Sequence, residues 1–525
     1  MKLDRSIPVI LIALLLIPFV TTYAASGQTS EESALQTQIT QTLSEVDSPA
    51  FTSSVPSGEF IVRSYQLVKN RKPDAFEFYY CKLLVSKNHL TRSNLLALLM
   101  AGDDNEISWD QCRKFIQAGP TKFLRNTSGI HQDVQAVQNT PQDKMLRDYQ
   151  RKSGPAKASS PSLKLGNTGG GSSPTLAANA VLSSNIPYDT YNTYFGYLHA
   201  HTSFSDGKGT PAEAYQYARN SGKLDFFAVT DHGEMIVFWP WDKKWRKIKS
   251  AADDYYVPGS FVTLWGFEWT NPLLGHCNII NTSSYTNCLS NITLDSLYGW
   301  LKDRPEGFGI FNHPGDYDSL GIEFWHLDPT DSGVVPQMVG IETWNGSNGF
   351  KEYYDKNNWS SCDYSYMDTG NRNGWQLGAL GNQDNHEKSW GTKNQFRTAV
   401  LAKELTREGI IGAYRARRFY ATEDQDLYLD FRCSGYPMGS QISGVNRNFT
   451  VTASDKSGDT FSEARLYRNG DLIETKPLSG SSVNVTFTDY AATGNAYYYV
   501  VIQENDDNDG NGINDEAISS PIWIR

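Results

Sequence analysis

Histidines and carboxylic acids occur between residues 199 and 386 at spacings suited to metal binding. His199 and His201 are separated by one residue, so a strand with a period of two would point both imidazoles to one face, as two ligands of one ion require. Asp206 follows in a Ser-Asp-Gly turn, and His232 closes the segment Thr-Asp-His after the next apolar run. Together these residues predict a metal site more strongly than the His-x-His pair alone.

Further ligand types follow along the chain. Glu268 ends an apolar run, and its two carboxylate oxygens are suited to bridging two ions. His276 and His313 come next, and the site is completed by the remaining pair, Asp384 and His386. Strand ends are where α/β barrels build their sites. A single histidine of this set would equally suit a structural hydrogen bond, whereas the whole set predicts metal ligation.

The donor types restrict the metal. Imidazoles and carboxylates without thiolates suit Zn, Mn or Fe as divalent ions, and the sequence does not choose among them. None of the six cysteines stands in a Cys-x-x-Cys spacing, which argues against a thiolate zinc site or a redox motif.

Two residues are candidates for a supporting role in catalysis. Asp231, adjacent to His232, would orient an imidazole. Arg418, after a predicted helix, would hold an anionic group of the substrate, as would Arg397 or the rest of the cluster 415–418. The alternative for that cluster is the solvated face of the helix 408–418. Three tryptophans near the motifs would wall a substrate pocket or pack in the core: Trp269, Trp344 and Trp390.

The elements that must position these residues follow from apolar periodicity. Short apolar runs at 226–229, 261–264 and 309–311 alternate with helical patterns, which predicts parallel strands with crossover helices in an α/β, barrel-like domain over 186–424. Short alternating strands from 425 to 525 predict a C-terminal β-sandwich of about 100 residues.

The ligand motifs, with Thr202, Gly207 and Pro314 beside them, together resemble the PHP family, named for polymerase and histidinol phosphatase, over roughly residues 194–424. The resemblance implies a distorted (β/α)7 barrel that hydrolyses phosphoesters with two or three divalent metal ions and a hydroxide held between them. It assigns one ion to His199, His201, Glu268 and Asp384, a second to Glu268, His276 and His313, and a third to Asp206, His232 and His386.

The remaining regions carry no predicted chemistry. Lys2 and Arg5 precede an apolar run at 7–20 and small residues near position 25, which predicts a signal peptide over 1–25, or else an uncleaved anchor. Composition and periodicity predict four segments in all before the barrel: the signal peptide 1–25, a disordered tether 26–57, a small N-terminal helical module 58–125 and a flexible linker 126–185. No later segment is predicted to cross a membrane, so we expect a secreted or cell-envelope protein.

The charge balance excludes one class of partner. The formal net charge of −11 argues against a broad basic surface for nucleic acid. We expect a small-molecule or exposed ester substrate, with contacts to the cell envelope made through the flanking domains. Export would also permit disulfides, for which two pairs are candidates: Cys277 with Cys288, and Cys81 with Cys112.

A second metal is suggested near the C-terminus. Oxygen-bearing side chains alternate in the segment 507–516, which resembles a calcium-binding loop with Ile518 in place of the expected glutamate. The predicted structural calcium ligands are Asp507, Asp509, Asn511 and Asp515. A plain acidic hairpin explains the segment equally well.

Three functions therefore compete. The first is a phosphoesterase of the PHP type. The second is a carbamate or carboxylic ester hydrolase, because Gly266–Trp269 and Ser519–Ile524 look similar to a branch of the superfamily with a C-terminal β-domain. The third is a cell-surface binding protein with a vestigial metal site, against which the complete ligand set argues.

Overall fold

The computed structural model describes residues 46–48, 55–73, 77–78, 81–82, 85, 92–100, 185–236, 244–288, 290–316, 323–346, 351–352, 364–490, 492, 494–508 and 512–525. The chain divides into two compact units, one made of residues 1–154, 236–244 and 286–292 and the other of the remaining residues. The predicted signal peptide lies outside the described residues, as do nearly all of the tether and of the linker.

The first unit contains two described helices, α1 (Ser57–Val68) and α2 (Arg92–Met100). Phe60, Ile61 and Tyr65 of α1 are buried. Arg92 of α2 donates a hydrogen bond to the Val55 carbonyl and lies 5.0 Å from the centre of the Phe60 ring. Both helices fall in the region predicted as a helical module, whose part beyond Met100 lies outside the described residues.

The second unit begins with ten strands that carry the ligand motifs. They are β1 (Asn192–Tyr197), β2 (Phe226–Val229), β3 (Val262–Asn271), β4 (Gly275–Ile280), β5 (Phe308–Asn312), β6 (Met338–Asn345), β7 (Lys351–Glu352), β8 (Gly378–Asn382), β9 (Arg397–Ala402) and β10 (Phe419–Thr422).

Helices connect these strands. They are α3 (Pro211–Asn220), α4 (Gly233–Ile236), α5 (Lys244–Tyr255), α6 (Leu294–Lys302), α7 (Tyr366–Asn373) and α8 (Arg407–Arg415), with a short left-handed turn at Glu323–Leu327. Local sequence fixes where several of them begin. At α3 the side chains of Thr210 and Glu213 form a reciprocal capping box ahead of Pro211, and Thr406 caps α8.

The strand pairing is mixed. β1, β2 and β3 run parallel, as do β5, β6 and β8, whereas β4 is antiparallel to both its neighbours and β9 is antiparallel to β1 and β10. Thr398 of β9 exchanges two hydrogen bonds with the backbone of Gly381, which brings β8 back against β9. The predicted α/β class is thus confirmed as a curled sheet with connecting helices. The sheet differs from a regular seven-stranded β/α barrel because antiparallel strands are inserted in it.

Apolar strands form the core beneath the helices. β2 (Phe-Phe-Ala-Val) and β5 are buried along their whole length, as expected for strands covered on both faces. Phe226, Val262, Ile310 and Val400 pack in one cluster with Tyr414 of α8. This cluster supports the strands whose carboxyl ends hold the ligand motifs.

Ten further strands follow Asp424. They are β11 (Leu427–Cys433), β12 (Tyr436–Pro437), β13 (Gln441–Ile442), β14 (Asn448–Asp455), β15 (Phe461–Arg468), β16 (Asp471–Pro477), β17 (Ser482–Thr488), β18 (Ala496–Glu504), β19 (Glu516–Ser519) and β20 (Ile522–Ile524). β11 and β14 alternate buried with more exposed residues, as the sequence pattern predicts, whereas β19 and β20 are buried along their whole length.

These C-terminal strands do not form a body separate from the barrel. A separate sheet is made by β11, β12, β14 and β17. The sheet of β1–β10, called the barrel sheet below, is continued through the pairing of β10 with β19. Its further strands are β13, β15, β16, β18, β19 and β20. Phe195, Leu401 and Tyr420 share one core with Phe449 and Val500. The boundary predicted after residue 424 therefore crosses a continuous sheet and a common core.

One predicted disulfide is not formed. Cys277 carries a free thiol in the middle of β4, where its neighbours in register are Trp269 and Phe311, and it is fully buried. The predicted disulfide between Cys277 and Cys288 is therefore absent from the structure, in which Cys277 lies inside a sheet. Cys112 of the other candidate pair lies outside the described residues. Among the described helices, none combines the length and the apolar character needed to cross a membrane.

Candidate metal centre

The predicted ligands meet at one edge of the barrel sheet. His199 and His201 follow β1, His232 follows β2, and His313 follows β5. Glu268 lies near the end of β3, while β4 runs in the opposite direction and contributes His276 from its beginning. Asp206, Asp384 and His386 lie in the loops after β1 and β8. The carboxyl ends of the parallel strands thus position the whole set.

The two histidines after β1 face the same side. Their Nε2 atoms lie 3.3 Å apart. A backbone bridge between Ala200 and Asn385 joins this segment to the loop after β8, and the Trp390 indole donates to the carbonyl of His201. The period-two spacing therefore places both rings as the sequence predicts.

Glu268 is the centre of the arrangement and is completely buried. Five imidazole nitrogens surround its carboxylate: His276 Nδ1 at 3.2 Å, His313 Nε2 at 3.3 Å and His199 Nε2 at 3.4 Å from Oε1, with His232 Nδ1 at 2.7 Å and His201 Nε2 at 3.5 Å from Oε2. One oxygen therefore faces three rings and the other faces two.

Two aspartates complete the cluster. Asp384 Oδ1 lies 3.2 Å from His199 Nε2 and 3.0 Å from His201 Nε2. Asp206 Oδ1 lies 3.4 Å from His232 Nε2 and 3.3 Å from His386 Nε2. Each carboxylate thus joins two imidazoles.

Several groups of ligand atoms are close enough to share an ion, with every pair of atoms within 4.8 Å. These groups are His201, Asp206, His232 and His386; His199, His313 and Asp384; His199, His201 and Glu268; and Glu268, His276 and His313. Two of the three ligand sets implied by the family resemblance each lie within one group: Glu268, His276 and His313; and Asp206, His232 and His386. The third set, His199, His201, Glu268 and Asp384, is divided between two groups.

Electrostatics favour ionised carboxylates in the cluster. Burial opposes charge on Glu268, but the histidines around it, His276 foremost, hold the pKa of its carboxyl well below its usual range. The same balance, with His199 contributing most, lowers the pKa of Asp384. Burial lowers the pKa of His201, and it lowers that of His276 to about 4. Ionised carboxylates and neutral imidazoles are the forms that bind metals.

The pKa values of His232 and His386 are raised, as are those of His199 and His313. Burial opposes protonation of all four rings, but Asp384 and Glu342 raise the pKa of His199, and Glu268 raises that of His313 to about 9. The protons on these rings balance the negative charge of the buried carboxylates. A metal cation at the same place would supply that balance instead.

Unsatisfied atoms indicate where an ion fits. Glu268 Oε2 and Asp384 Oδ1 are buried and form no hydrogen bond of good geometry, although imidazole nitrogens lie 2.7 Å and 3.0 Å away. Buried carboxylate oxygens are rarely left in this state. Lone pairs of oxygen and nitrogen that face a common point fit a divalent cation, so the residues present suit the metals predicted from the sequence.

Glu342 on β6 belongs to the site and was not predicted from the sequence. Its carboxylate receives hydrogen bonds from His199 Nδ1 (2.7 Å), the His313 backbone N–H (2.6 Å), and the side-chain amides of Asn345 and Asn382 (both 2.9 Å). Because a carboxylate only accepts, Nδ1 of His199 carries a hydrogen, and in the neutral ring that a metal would require, Nε2 would present its lone pair to the cluster. The available signal is an acidic residue that follows the apolar run Met338–Ile341 within a buried strand.

Asp231 does not contact an imidazole directly. Its buried carboxylate accepts hydrogen bonds from Thr202 (backbone at 2.7 Å, hydroxyl at 2.6 Å) and from Ser205 (backbone at 3.1 Å, hydroxyl at 2.5 Å). The Ser205 hydroxyl also lies 3.3 Å from His201 Nδ1. Asp231 therefore holds the loop that carries Asp206, which differs from the predicted role of orienting a ring.

Arg418 lies away from the cluster. It donates to the carbonyl of Leu401 and to the side chain of Asn185, and it stacks on Tyr191. Leu401 pairs with Thr193 at the beginning of β1, whereas the ligands follow the end of β1. The predicted substrate contact by Arg418 is thus corrected, because the residue stands at the opposite end of the strands.

The other arginines and the tryptophans are structural. Arg397 is buried and donates to the carbonyls of Gly391, Asn394 and Phe396, which fixes the loop before β9. Arg415 and Arg417 likewise donate to backbone carbonyls. The three tryptophans considered as pocket walls are fully buried in the core: Trp269, Trp344 and Trp390.

The predicted calcium loop is described in part. Asp507 accepts a hydrogen bond from the backbone of Gly512, and Asp515 accepts one from the backbone of Asn508. Asp509 and Asn511 lie outside the described residues, so calcium binding by this loop stays a prediction.

Comparisons with known proteins give remote matches. Residues 240–296, which include Glu268 and His276, match a family described as "Protein of unknown function (DUF3604)". An uncharacterized protein of Chlamydia pneumoniae is 22% identical over 378 residues, covering 63% of this chain and 57% of that protein. An uncharacterized protein of Chlamydia muridarum is 20% identical over 375 residues with the same coverage. The chain thus spans less than two thirds of the length of these relatives.

Two solved structures are similar to parts of the chain. One is a two-domain protein from Bacteroides vulgatus described as containing a predicted PHP-like metal-dependent phosphoesterase, with 18% identity, a TM-score of 0.36, and coverage of 65% of this chain and 99% of that one. The other is PsfC from Pseudomonas syringae, with 16% identity, a TM-score of 0.27, and coverage of 42% of this chain and 88% of that one.

Proposed function

We propose that the chain is a metal-dependent hydrolase that cleaves phosphoesters at the cluster around Glu268. One observation carries the proposal: a buried carboxylate lies within 3.5 Å of five imidazoles, and Asp384 and Asp206 flank it. Divalent ions held in such a cluster lower the pKa of bound water towards neutrality and neutralise negative charge on a phosphoryl group.

The chain's own groups have defined tasks in this proposal. Glu268 holds the two halves of the cluster together, because each of its oxygens faces a different set of rings. Glu342 keeps Nε2 of His199 directed inward, and Asp231 fixes the loop of Asp206. These positions restrict the motion of the ligands before substrate arrives.

Lys393 supplies a positive charge beside the cluster. It lies in the loop between Asp384 and β9 and is half-buried; burial lowers the pKa of its ammonium group, while the carboxylates of Asp384 and Glu387 act in the opposite direction. We propose that Lys393 contacts a nonbridging oxygen of the phosphoester, a role that Arg418 cannot fill from the far end of the strands.

The experiment compares the full chain with two histidine variants. Metal content is measured by elemental analysis, and hydrolysis is measured with p-nitrophenyl phosphate, bis-p-nitrophenyl phosphate and a naphthyl carbamate. His201→Ala should lose metal and lower phosphoester hydrolysis on the order of a hundredfold or more. His326→Ala, which alters a histidine outside the cluster, is the matched control and should retain both.

Each other outcome has a meaning. Activity on the carbamate alone would replace phosphoesters by carbamates as the substrate class. If no transition metal binds after reconstitution, or if His201→Ala keeps metal and activity, the cluster is not a catalytic metal site. Binding to cell envelopes that persists without hydrolysis would then favour the binding-protein alternative.

We also propose that the enzyme is exported. The support is the basic and then apolar order of residues 2–20, followed by small residues. The mass of the protein recovered from the cell exterior tests this: a chain beginning near residue 26 is expected, and a full-length chain retained in the cytoplasm would contradict export.

A further inference from the structure

A second group of carboxylates lies where β10 leads into the C-terminal strands. Asp424 follows β10, Asp455 ends β14, Asp459 precedes β15, and Glu504 ends β18. The carboxylate oxygens of Asp424, Asp455 and Asp459 lie within 4.8 Å of one another. Two ligands of one calcium ion, each about 2.4 Å from it, are no farther apart than about that distance.

Glu504 supplies the independent observation. Its side chain is 0% exposed, and neither of its carboxylate oxygens has a hydrogen-bond partner. After burial, the charges that act on it most strongly are those of Asp424 and Asp455, so Glu504 lies beside the group. A fully buried carboxylate that has no hydrogen-bond partner and lies beside other carboxylates requires a compensating charge.

Asp455 repeats this feature with one oxygen. Its Oδ1 accepts hydrogen bonds from the backbone N–H groups of Gly458 (2.6 Å) and Asp459 (2.8 Å) and from the Ser457 hydroxyl (2.9 Å). Its Oδ2 is buried and has no hydrogen-bond partner. The turn thus fixes the carboxylate and leaves one oxygen for a ligand.

Ion pairs do not neutralise the group in the described part of the chain, where none of these four carboxylates pairs with lysine or arginine. The charge of Arg397 acts on Asp424 from a distance, while its guanidinium donates to backbone carbonyls. Burial, followed by the neighbouring carboxylates, raises the pKa of Glu504 to about 9, as expected for a cluster that lacks its counter-charge.

We propose that Asp424, Asp455, Asp459 and Glu504 bind one structural calcium ion. Oxygen donors without imidazole or thiolate select a hard cation, which distinguishes this site from the cluster around Glu268. The proposed ligands differ from the loop residues predicted from the sequence. Asn508 connects the two regions, since its side-chain amide donates to Asp459 (2.9 Å) and Asp424 (3.4 Å).

The site would join three strand connections that are far apart in sequence. The ligands lie before β11, at and after the end of β14, and at the end of β18, so one ion would tie the large sheet, near β10 and β18, to the separate sheet of β11 and β14. Such a site binds the folded state alone, and calcium should therefore raise the unfolding temperature.

The test is calcium titration of the metal-depleted full chain by calorimetry, with thermal unfolding measured in parallel. Wild type should bind one calcium ion, and its unfolding temperature should be higher in about 2 mM calcium than without calcium. Glu504→Gln should bind at least about tenfold more weakly. Glu474→Gln, a half-exposed glutamate on β16, is the matched control and should equal wild type.

His201→Ala separates the two metal sites, because it should leave calcium binding unchanged. The proposal is overturned if wild type neither binds calcium nor gains unfolding temperature, which would show that protons neutralise the cluster. Retention of full calcium affinity by Glu504→Gln also overturns it. If Glu504→Gln does not fold, the wild-type titration and the His201→Ala titration still decide the question.

Discussion

Nδ1 of His199 lies 2.7 Å from Oε1 of Glu342, and this contact fixes the direction of a ring at the centre of the cluster. Both side chains are buried, so no water competes for the bond. The other oxygen of Glu342 accepts the backbone N–H of His313, which places a second ring. One carboxylate thus orients two of the proposed ligands without being a ligand itself.

Replacing Glu342 should therefore weaken metal binding. Glu342→Gln presents an amide where the N–H groups of His199 and His313 now donate, so we expect metal affinity to fall about 10- to 100-fold. Competition with a chelating dye measures the affinity. Glu404→Gln, on the exposed surface, is the control, and equal affinities in the two variants would remove the role assigned to Glu342.

Asp231 should act on stability as well as on the site. Asp231→Asn loses charge-assisted bonds to Thr202 and Ser205, which we expect to cost about 2 kcal/mol in the free energy of unfolding. Metal affinity should fall with it, because the same loop carries Asp206. Urea unfolding and metal titration provide the measurements. The control is Asp254→Asn at an exposed position of α5, which should change neither the stability nor the metal affinity.

Arg418 should matter to folding and leave chemistry intact. Arg418→Met removes the bonds to Leu401 and Asn185, at an expected cost of about 1–2 kcal/mol of stability. Its kcat/KM should stay within about twofold of wild type. A raised KM for phosphoesters with unchanged stability would restore the substrate contact that the sequence suggests.

Lys393, unlike Arg418, should affect substrate binding. Lys393→Met keeps the length of the side chain and removes its charge, so KM for p-nitrophenyl phosphate should rise on the order of tenfold. Metal affinity, measured with the chelating dye, provides the control and should not change. A parallel fall in metal affinity, or a fall in kcat at unchanged KM, would mean that Lys393 acts on the loop and not on the phosphoester.

Two glycines provide a paired test of packing. An added Cβ at Gly196 of β1 would collide with the Phe226 carbonyl, so Gly196→Ala should destabilise the fold by about 3 kcal/mol. A Cβ at Gly299 in α6 meets no atom within 4 Å, and Gly299→Ala should stabilise by about 0.5–1 kcal/mol. Thermal unfolding compares them, and similar unfolding temperatures would contradict the strand packing described here.

The sequence anticipates the parts of the site that local pattern determines. The period of two in His199-x-His201 and the positions of His232 and His313 after apolar runs follow from short segments of chain, and the structure brings these residues together. Their role as ligands stays a prediction. The apolar runs of the sequence likewise predict the strands β2, β3 and β5.

Other features depend on distant segments and leave little local trace. Glu342 is recognisable only when His199, far away in sequence, is seen to donate to it. Arg418 follows a helix, as an anion-binding residue would, but it precedes β10, which runs in the same direction as β1, so it stands at the end opposite to the ligands. Glu504 looks like an ordinary strand end until the fold surrounds it with aspartates.

The pairing of β10 with β19 has a consequence for any shortened form of the chain. Removing residues 425–525 would leave β10 as a bare edge strand, with Tyr420 and Phe195 stripped of the core that covers them. Such an edge is a template for pairing with other chains, so the truncated barrel should aggregate. In this chain the C-terminal strands protect an otherwise open edge of the sheet that carries the proposed metal ligands.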